Sequence, residues 1–255
     1  GNRQEEHPAP PGRSGPRGRP LPPPAVAAVR AEVARFLLSL LGVCLALVEA
    51  HGQLPLARLH AVFPPGAQRG STQQVVVQGT DLEDATGLWF SDSRVVAAPR
   101  AGAASTWDVV VPAEVPPGRL DLRVLGRFGL SNPRAFRVGD VPQRVLEATN
   151  TTPASACELA ADAAVHGRMP PGTPLWFSLR LQAGQPGVVR VEGRELDSRI
   201  DPVLTVFEGP DREVESSRRG WVEVDATRDG TWLVRLHDIL FRGGDEYGFR
   251  VSATT

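Results

Sequence analysis

The sequence contains no lysine, and all 28 of its basic residues are arginines. We interpret this bias as the codon usage of a GC-rich genome rather than as selection for bidentate contacts. The 29 acidic residues bring the formal net charge to -1, so a nucleic-acid partner is not expected. Two cysteines cannot form a disulfide framework, and 26 glycines with 24 prolines exclude a fold built of long helices.

The sequence also lacks the common short catalytic motifs. It has no Gly-x-Ser-x-Gly elbow, no His-Glu-x-x-His, no phosphate-binding loop and no acidic EF-hand loop. Three scattered histidines, His60, His166 and His237, would all have to converge to hold zinc. His237 and Asp238 are neighbours on a predicted strand and therefore point to opposite faces, which argues against a hydrolytic triad. We expect a protein that is not an enzyme.

The N-terminal part of the chain has a different composition from the rest. Residues 1–29 are rich in proline and arginine, so we expect them to be disordered and interpret them as an over-extended gene start. The apolar run 36–48 is shorter than the roughly 20 residues that span a bilayer. A basic segment, this run and small residues before a cut after Ala50 predict a secretory signal peptide over residues 30–52. The mature chain is then exported to the periplasm, cell surface or medium without a transmembrane anchor.

From residue 54 onward, apolar and polar residues alternate with a period of two, and turn signals recur every 8–12 residues. This pattern predicts an all-β protein. The strands predicted in the first half are 58–63, 74–80, 87–90, 94–98, 106–111, 119–125 and 134–138. Those predicted in the second half are 164–168, 175–181, 187–192, 203–208, 213–216, 221–224, 231–237 and 247–252. We expect an immunoglobulin-like sandwich over residues 54–140, a linker over 141–154 and a jelly-roll-like sandwich over 155–255.

Particular segments resemble two known families. Residues 63–72 read FPPGAQRGST, residues 75–82 read VVVQGTDL, and residues 126–136 read GRFGLSNPRAF. These segments resemble the TIG-like, immunoglobulin-like domains found in large exported proteins of planctomycetes. Residues 181–185, 196–204, 229–236 and 242–247 read LQAGQ, LDSRIDPVL, DGTWLVRL and RGGDEY. They resemble the bacterial pre-peptidase C-terminal (PPC) domain.

The PPC resemblance implies a non-catalytic accessory module of secreted or surface proteins. In relatives of this type further modules usually follow. The resemblance is imperfect where the family concentrates carboxylates. Residues 147–153 read EATNTTP and residues 173–177 read TPLWF, so family functions that depend on acids at these places, notably cation binding, are not expected here.

Aspartates at predicted turns are the remaining candidates for a metal site. Asp197, Asp201 and Asp245 could offer carboxylate oxygens to calcium. Aspartate is also common in turns because its side chain bonds to its own downstream backbone. We favour that second interpretation, and we therefore expect neither a metal nor another cofactor.

Five tryptophans raise the possibility of a carbohydrate platform, because sugars stack on exposed indole faces. Trp176 is the best candidate, since it lies opposite the apolar face formed by Leu175 and Phe177. The overall hypothesis is a non-enzymatic binding, adhesion or spacer module whose partner is a protein or polysaccharide at the cell surface. Two alternatives stay open: an accessory portion of a larger secreted hydrolase or peptidase, and a carbohydrate-binding module.

Overall fold

The computed structural model describes residues 29–30, 32–40 and 55–255. Residues 29–30 and 32–40 are helical. Within the described residues, no helix has both the length and the apolar character needed to cross a membrane. The predicted disordered segment, apart from residue 29, and the predicted cleavage after Ala50 lie outside the described residues.

The first half of the described β-structure forms two facing sheets. Its strands are β1 (Arg58–Phe63), β2 (Gly66–Gln68), β3 (Ser71–Thr80), β4 (Gly87–Phe90), β5 (Val96–Pro99), β6 (Thr106–Val111), β7 (Gly118–Gly126), β8 (Gly129–Leu130) and β9 (Arg134–Gly139). One sheet has the order β1-β3-β6-β5 and the other β2-β9-β7-β4, with β8 paired to β7. Side chains such as Val109, Leu122 and Phe136 alternate inward and fill the space between the sheets.

The second half forms another pair of facing sheets. Its strands are β10 (Gln143–Val145), β11 (Cys157–Glu158), β12 (Ala164–Arg168), β13 (Leu175–Leu181), β14 (Pro186–Glu192), β15 (Pro202–Glu208), β16 (Arg212–Ser217), β17 (Trp221–Asp225), β18 (Gly230–Asp238) and β19 (Gly248–Thr254). The sheet orders are β10-β12-β19-β14-β17 and β11-β13-β18-β15-β16. The predicted all-β sandwich architecture is confirmed.

The core of the second sandwich follows directly from the period of two. Leu175, Phe177, Leu179 and Leu181 of β13 all point inward and are buried, and the edge of the Phe177 ring meets Phe249 at a centroid distance of 6.3 Å. Gly167 of β12 is required beside this cluster, because a Cβ atom there would lie 2.3 Å from the Phe249 ring.

The segment predicted as a linker contributes structure to the second sandwich. Gln143–Val145 pairs in parallel with β12, and Pro153–Ser155 forms a 3-10 turn that is capped by Thr152. The predicted domain boundaries at residues 140 and 154 stay predictions. Both sandwiches belong to one compact unit, Pro55–Thr255.

Candidate functional site

The three histidines between residues 55 and 255 occupy separate environments. His60 is within 3.4 Å of the Thr80 hydroxyl, and His237 stacks on Phe241 at a centroid distance of 4.4 Å. His166 is fully buried, with Nε2 2.5 Å from the Gln143 side-chain oxygen. Burial, followed by the nearby positive charge of Arg250, lowers the pKa of His166 to about 3. His166 is therefore neutral at physiological pH and has a structural role.

The three turn aspartates each contact a different arginine. Asp197 lies 3.1 Å from Arg119, Asp201 lies 3.0 Å from Arg194, and Asp245 lies 3.4 Å from Arg168. Asp197 and Asp245 border the same narrow gap, whereas Asp201 borders a different depression. Among the described residues, no group of three or more histidine, cysteine or acidic side chains could hold a metal ion.

Asp197 connects the two sandwiches. Its carboxylate accepts hydrogen bonds from the Ala135 backbone N–H at 2.8 Å and from the Arg119 guanidinium. The backbone places it there, because Asp197 ends the 3-10 turn Arg194–Leu196 in the left-handed conformation, with φ at 56°. Its function in this structure is to join β7 and β9 of the first sandwich to the second.

Two further contacts cross the same junction. The Arg168 guanidinium of β12 lies 4.0 Å from the centre of the Phe63 ring of β1. Glu192 of β14 is 3.1 Å from Arg250 within the second sandwich and 3.7 Å from Arg137 of the first. Together with Asp197, these contacts hold the sandwiches in one arrangement.

Asp238 organises the loop after β18 and is completely buried. Burial alone would raise its pKa, but hydrogen bonds from the Arg242 side chain and from the N–H groups of Asp201, Arg242 and Leu240 outweigh burial and lower the pKa to about 2. The carboxylate is ionised and fully occupied by structural partners. Sequence reasoning considered Asp238 only as a triad partner of His237 and missed this role, although the arginine four residues later is a visible signal.

The expectation that Trp176 is an exposed tryptophan is wrong. Trp176 is 8% exposed and packs on Phe207 with a centroid distance of 5.1 Å. The guanidinium of Arg235 lies 5.8 Å from its ring centre, and Ala156 packs against the same cluster. At Trp176 the outer face of β13 is therefore covered by neighbouring side chains instead of being open to solvent.

The exposed indoles are those of Trp89 and Trp221, which sequence reasoning did not single out. Trp89 is 47% exposed and Trp221 is 38% exposed, and each lies on a strand at one end of its sheet, β4 and β17. Both side chains point away from the core, on the outer face of their sheets. Alternation on a strand could not separate them from the buried tryptophans, because it does not say which face is covered.

We use the name Trp89 surface for Trp89, Arg123, Leu125 and Leu130. Trp89 pairs with Arg123 across β4 and β7, and Leu125 pairs with Gly87 on one side and with Leu130 on the other. Leu125 and Leu130 are 46% and 47% exposed. A Cβ atom at Gly87 would meet nothing within 4 Å, so one flank of the indole is open.

We use the name Trp221 surface for Trp221, Arg218, Arg219, Glu215 and Glu223. The guanidinium of Arg219 lies 5.7 Å from the centre of the Trp221 ring. Both arginines border a depression of about 160 Å³ on one side and a wider one of about 560 Å³ on the other. Glu215 and Glu223 line only the wider depression. Trp221 also lines the wider depression, together with both arginines and both glutamates.

No family model and no curated protein sequence matches the chain. Among solved structures, the chain is similar to the pre-peptidase C-terminal domain of collagenase from Bacillus anthracis, with 8% identity, a TM-score of 0.31 and coverage of 39% of this chain and 94% of that one. It is also similar to Aeromonas hydrophila PliG, a periplasmic inhibitor of g-type lysozyme, with 13% identity, a TM-score of 0.28 and coverage of 45% and 97%.

A third structure aligns across both sandwiches. It is SGBP-B of a mixed-linkage glucan utilization locus from Bacteroides ovatus, with 9% identity, a TM-score of 0.28 and coverage of 80% of this chain and 45% of that one. The function of the present chain has to follow from its own surface.

Proposed function

We propose that the chain is a non-catalytic, exported binding module that holds a polysaccharide on its exposed indoles. The observation that carries this proposal is the position of Trp89, which is 47% exposed on an outer strand beside the open space above Gly87. A large aromatic ring usually gains from burial, so a solvated one on a well-ordered strand is a candidate ligand contact. The PPC-like and TIG-like segments agree with a module of this kind.

The chemistry of the buried polar groups supports binding rather than catalysis. Asp238 is held ionised by Arg242 and backbone N–H groups, and His166 is held neutral by burial. Asp197 is hydrogen-bonded at the junction of the two sandwiches. These groups stabilise the frame. Asp197 borders a gap together with Asp245, but that gap has a volume of only about 20 Å³, which is about the room of one water molecule.

A polysaccharide fits the exposed indoles because a sugar ring has both an apolar and a polar character. Its C–H face can stack on an indole, while its hydroxyls need hydrogen-bond partners around that ring. Both indoles have charged neighbours that can form these hydrogen bonds. Arg123 is paired with Trp89 across the strands, and the Arg219 guanidinium lies over the Trp221 ring. The surfaces are open, as an extended polymer requires.

The Trp89 surface also supports a second candidate function, attachment to a protein. Leu125 and Leu130 flank Trp89 and are each nearly half exposed, so three large apolar side chains share one face of the sheet. Apolar surface of this kind is typical of protein interfaces when it is rimmed by polar groups. A protein partner would require the leucines as well as the indole.

Affinity electrophoresis of the purified chain through gels containing neutral polysaccharides tests the proposal. We expect retardation by at least one neutral polymer, lost in Trp89→Ala or Trp221→Ala and kept in Leu240→Ala, a control at a residue that is 67% exposed. No retardation by any polysaccharide would favour the protein partner, whose binding should be lost in Leu125→Ala as well as in Trp89→Ala. Retardation that none of the tryptophan variants changes would contradict the proposal.

The export component is tested separately by sequencing the N-terminus of the secreted protein. Cleavage after Ala50 or Gly52 leaves His51 or Gln53 as the first residue. An exported chain that retains residues 22–24 would contradict the predicted signal peptide.

A further inference from the structure

We propose that the Trp221 surface binds an acidic sugar residue, with its anionic group held by Arg218 and Arg219 and its ring stacked on Trp221. This inference rests on the proposed function, since it concerns the ligand of one of the two exposed indoles. The expected ligand is a pyranose that carries an anionic group, which is either a carboxylate or a sulfate ester.

The smaller depression is lined by both acidic and basic side chains. Its acidic residues already have partners, because Asp201 is 3.0 Å from Arg194 and Glu195 is 3.6 Å from Arg190. Arg218 and Arg219 are exposed and form no ion pair with a described carboxylate. The lining of this depression therefore has an excess of positive charge, with Arg194, Arg218 and Arg219 against the paired Glu195 and Asp201. An anion is the complementary ligand.

The indole of Trp221 is 38% exposed and lies next to one of these arginines. The Arg219 guanidinium lies over the ring, 5.7 Å from its centre. A sugar ring stacked beside the guanidinium on the exposed part of the indole would therefore have a substituent within reach of Arg219. One side chain recognises the ring and its neighbour recognises the charge, which is the combination that an acidic sugar requires.

The two depressions differ in their free carboxylates. Both arginines border both depressions, but the wider one also contains Glu215 and Glu223, which form no ion pair with a described arginine and make an anion less favourable there. Carboxylates do accept hydrogen bonds from sugar hydroxyls. The anionic substituent should therefore lie over the depression bordered by Gly193 and Arg218, and the hydroxyls should face Glu215 and Glu223.

Hydrogen bonds hold the backbone of the turn that carries the arginines, which reduces the entropic cost of binding. The Ser217 hydroxyl donates to the Trp221 carbonyl at 2.6 Å and accepts from the Arg219 N–H at 3.3 Å. Gly220 has a φ of 80° and its carbonyl accepts a hydrogen bond from the Val191 N–H at 2.7 Å. This turn connects β16 of one sheet to β17 of the other and fixes the backbone positions of Arg218 and Arg219.

The experiment compares matched probes in affinity electrophoresis of the full chain. Polygalacturonate is compared with its methyl ester, which keeps the ring and removes the charge, and dextran sulfate is compared with dextran. Polyglutamate serves as an anion without sugar rings. We expect about tenfold or stronger retention on one acidic polysaccharide than on its neutral form and than on polyglutamate. Whichever acidic polymer is preferred identifies the anion as carboxylate or sulfate.

Variants then assign the binding to this surface. Trp221→Ala and the double variant Arg218→Ala/Arg219→Ala should each lower the affinity by roughly fivefold or more. The matched control is Arg180→Ala, which removes one exposed arginine from another strand of the same sandwich and should leave binding unchanged. Arg218→Lys keeps the charge but loses the fork, so it should bind more weakly than the parent chain. Equal melting temperatures establish that each variant is folded.

Three results would overturn the inference: equal binding to the methyl ester, equal binding to polyglutamate, or variants that bind like the parent. If neutral polysaccharides bind through Trp89 or Trp221 and charge has no influence, the proposed function stands and this inference fails. If no polysaccharide of either kind retards the chain, both fail.

Discussion

The carboxylate of Asp197 accepts a hydrogen bond from the backbone N–H of Ala135 at 2.8 Å, across the junction between the two sandwiches. Ala135 is 1% exposed, so without this acceptor its N–H would be cut off from water as well. A buried donor that loses its partner costs roughly 1–3 kcal/mol. The relative position of the sandwiches therefore depends strongly on one side chain at a turn.

Replacing Asp197 with alanine should destabilise this junction. We expect a loss of roughly 1–3 kcal/mol, and a melting temperature lower by roughly 3–10 °C for a unit of this size. Asp197→Asn keeps an oxygen acceptor for the Ala135 N–H but loses the charge that pairs with Arg119, so its loss should be smaller. Differential scanning calorimetry measures both variants.

The matched control is Asp245→Ala, because Asp245 is 58% exposed and forms only a 3.4 Å ion pair with Arg168. Exposed pairs contribute about 0–1 kcal/mol. An Asp197→Ala variant as stable as Asp245→Ala would contradict the assigned role of Asp197.

The role of Asp197 illustrates what sequence reasoning misses. The acceptor and the donor are 62 residues apart in sequence, and no local pattern connects them. The turn itself was predictable, because aspartate is common there and tolerates the left-handed conformation. Which neighbour the carboxylate meets depends on packing between two sandwiches, and that information is not local.

The strands show the opposite case. The alternation of Leu175, Phe177, Leu179 and Leu181 predicted β13 correctly, since one face of that strand is filled by the core. Gln143–Val145 and Cys157–Glu158 were not predicted, because each is a short parallel strand at one end of its sheet with no alternating run of its own. Trp176 was misjudged because its outward face is covered by Phe207 and Arg235.

Asp238 should make the protein sensitive to acid. Its folded pKa of about 2 is below the ordinary value of 3.8, so its contribution is present above pH 4 and is lost as the pH falls toward 2. The stability difference between the parent chain and Asp238→Asn should therefore shrink by roughly 1–2 kcal/mol between pH 5 and pH 2.5. Urea unfolding at both pH values measures it.

Arg242→Met provides the companion test, because the Arg242 side chain forms the largest of the hydrogen-bond contributions that lower the pKa of Asp238. This variant should lose part of the same pH-dependent stability. Identical pH profiles for the parent chain and Asp238→Asn would show that the carboxylate does not carry the effect.

His166 should make the stability of the protein fall at a higher pH than Asp238 does. The group that gains the proton is an imidazole, which becomes positively charged. Its folded pKa of about 3 is below the ordinary 6.5, so between these values the unfolded chain binds more protons. The free energy of unfolding should then fall by up to about 1.4 kcal/mol for each pH unit below 6.5. The groups facing His166 are Gln143 on β10 and Arg250 on β19, which is itself bound to Glu192.

His166→Gln removes the titrating group and keeps the possibility of a hydrogen bond to Gln143. We expect its free energy of unfolding to change less between pH 6 and pH 4 than that of the parent chain, whatever its stability at pH 7. The slope with pH is the readout, since a merely destabilised variant would shift the whole curve. Parallel curves would contradict a buried neutral imidazole.

Calcium should not stabilise the second sandwich. The three candidate ligands each contact a different arginine: Asp197 meets Arg119, Asp201 meets Arg194 and Asp245 meets Arg168, and Asp201 borders a different depression from the other two. A calcium ion needs several oxygens at about 2.3–2.6 Å from one point, so these carboxylates would have to leave their partners and converge.

A ligand that is present at 100 times its dissociation constant would add about 2.7 kcal/mol to the free energy of unfolding. We expect melting temperatures in millimolar calcium and in chelator to agree within error. A rise of several degrees that Asp201→Ala or Asp245→Ala abolishes would show that the turn aspartates do form a cation site.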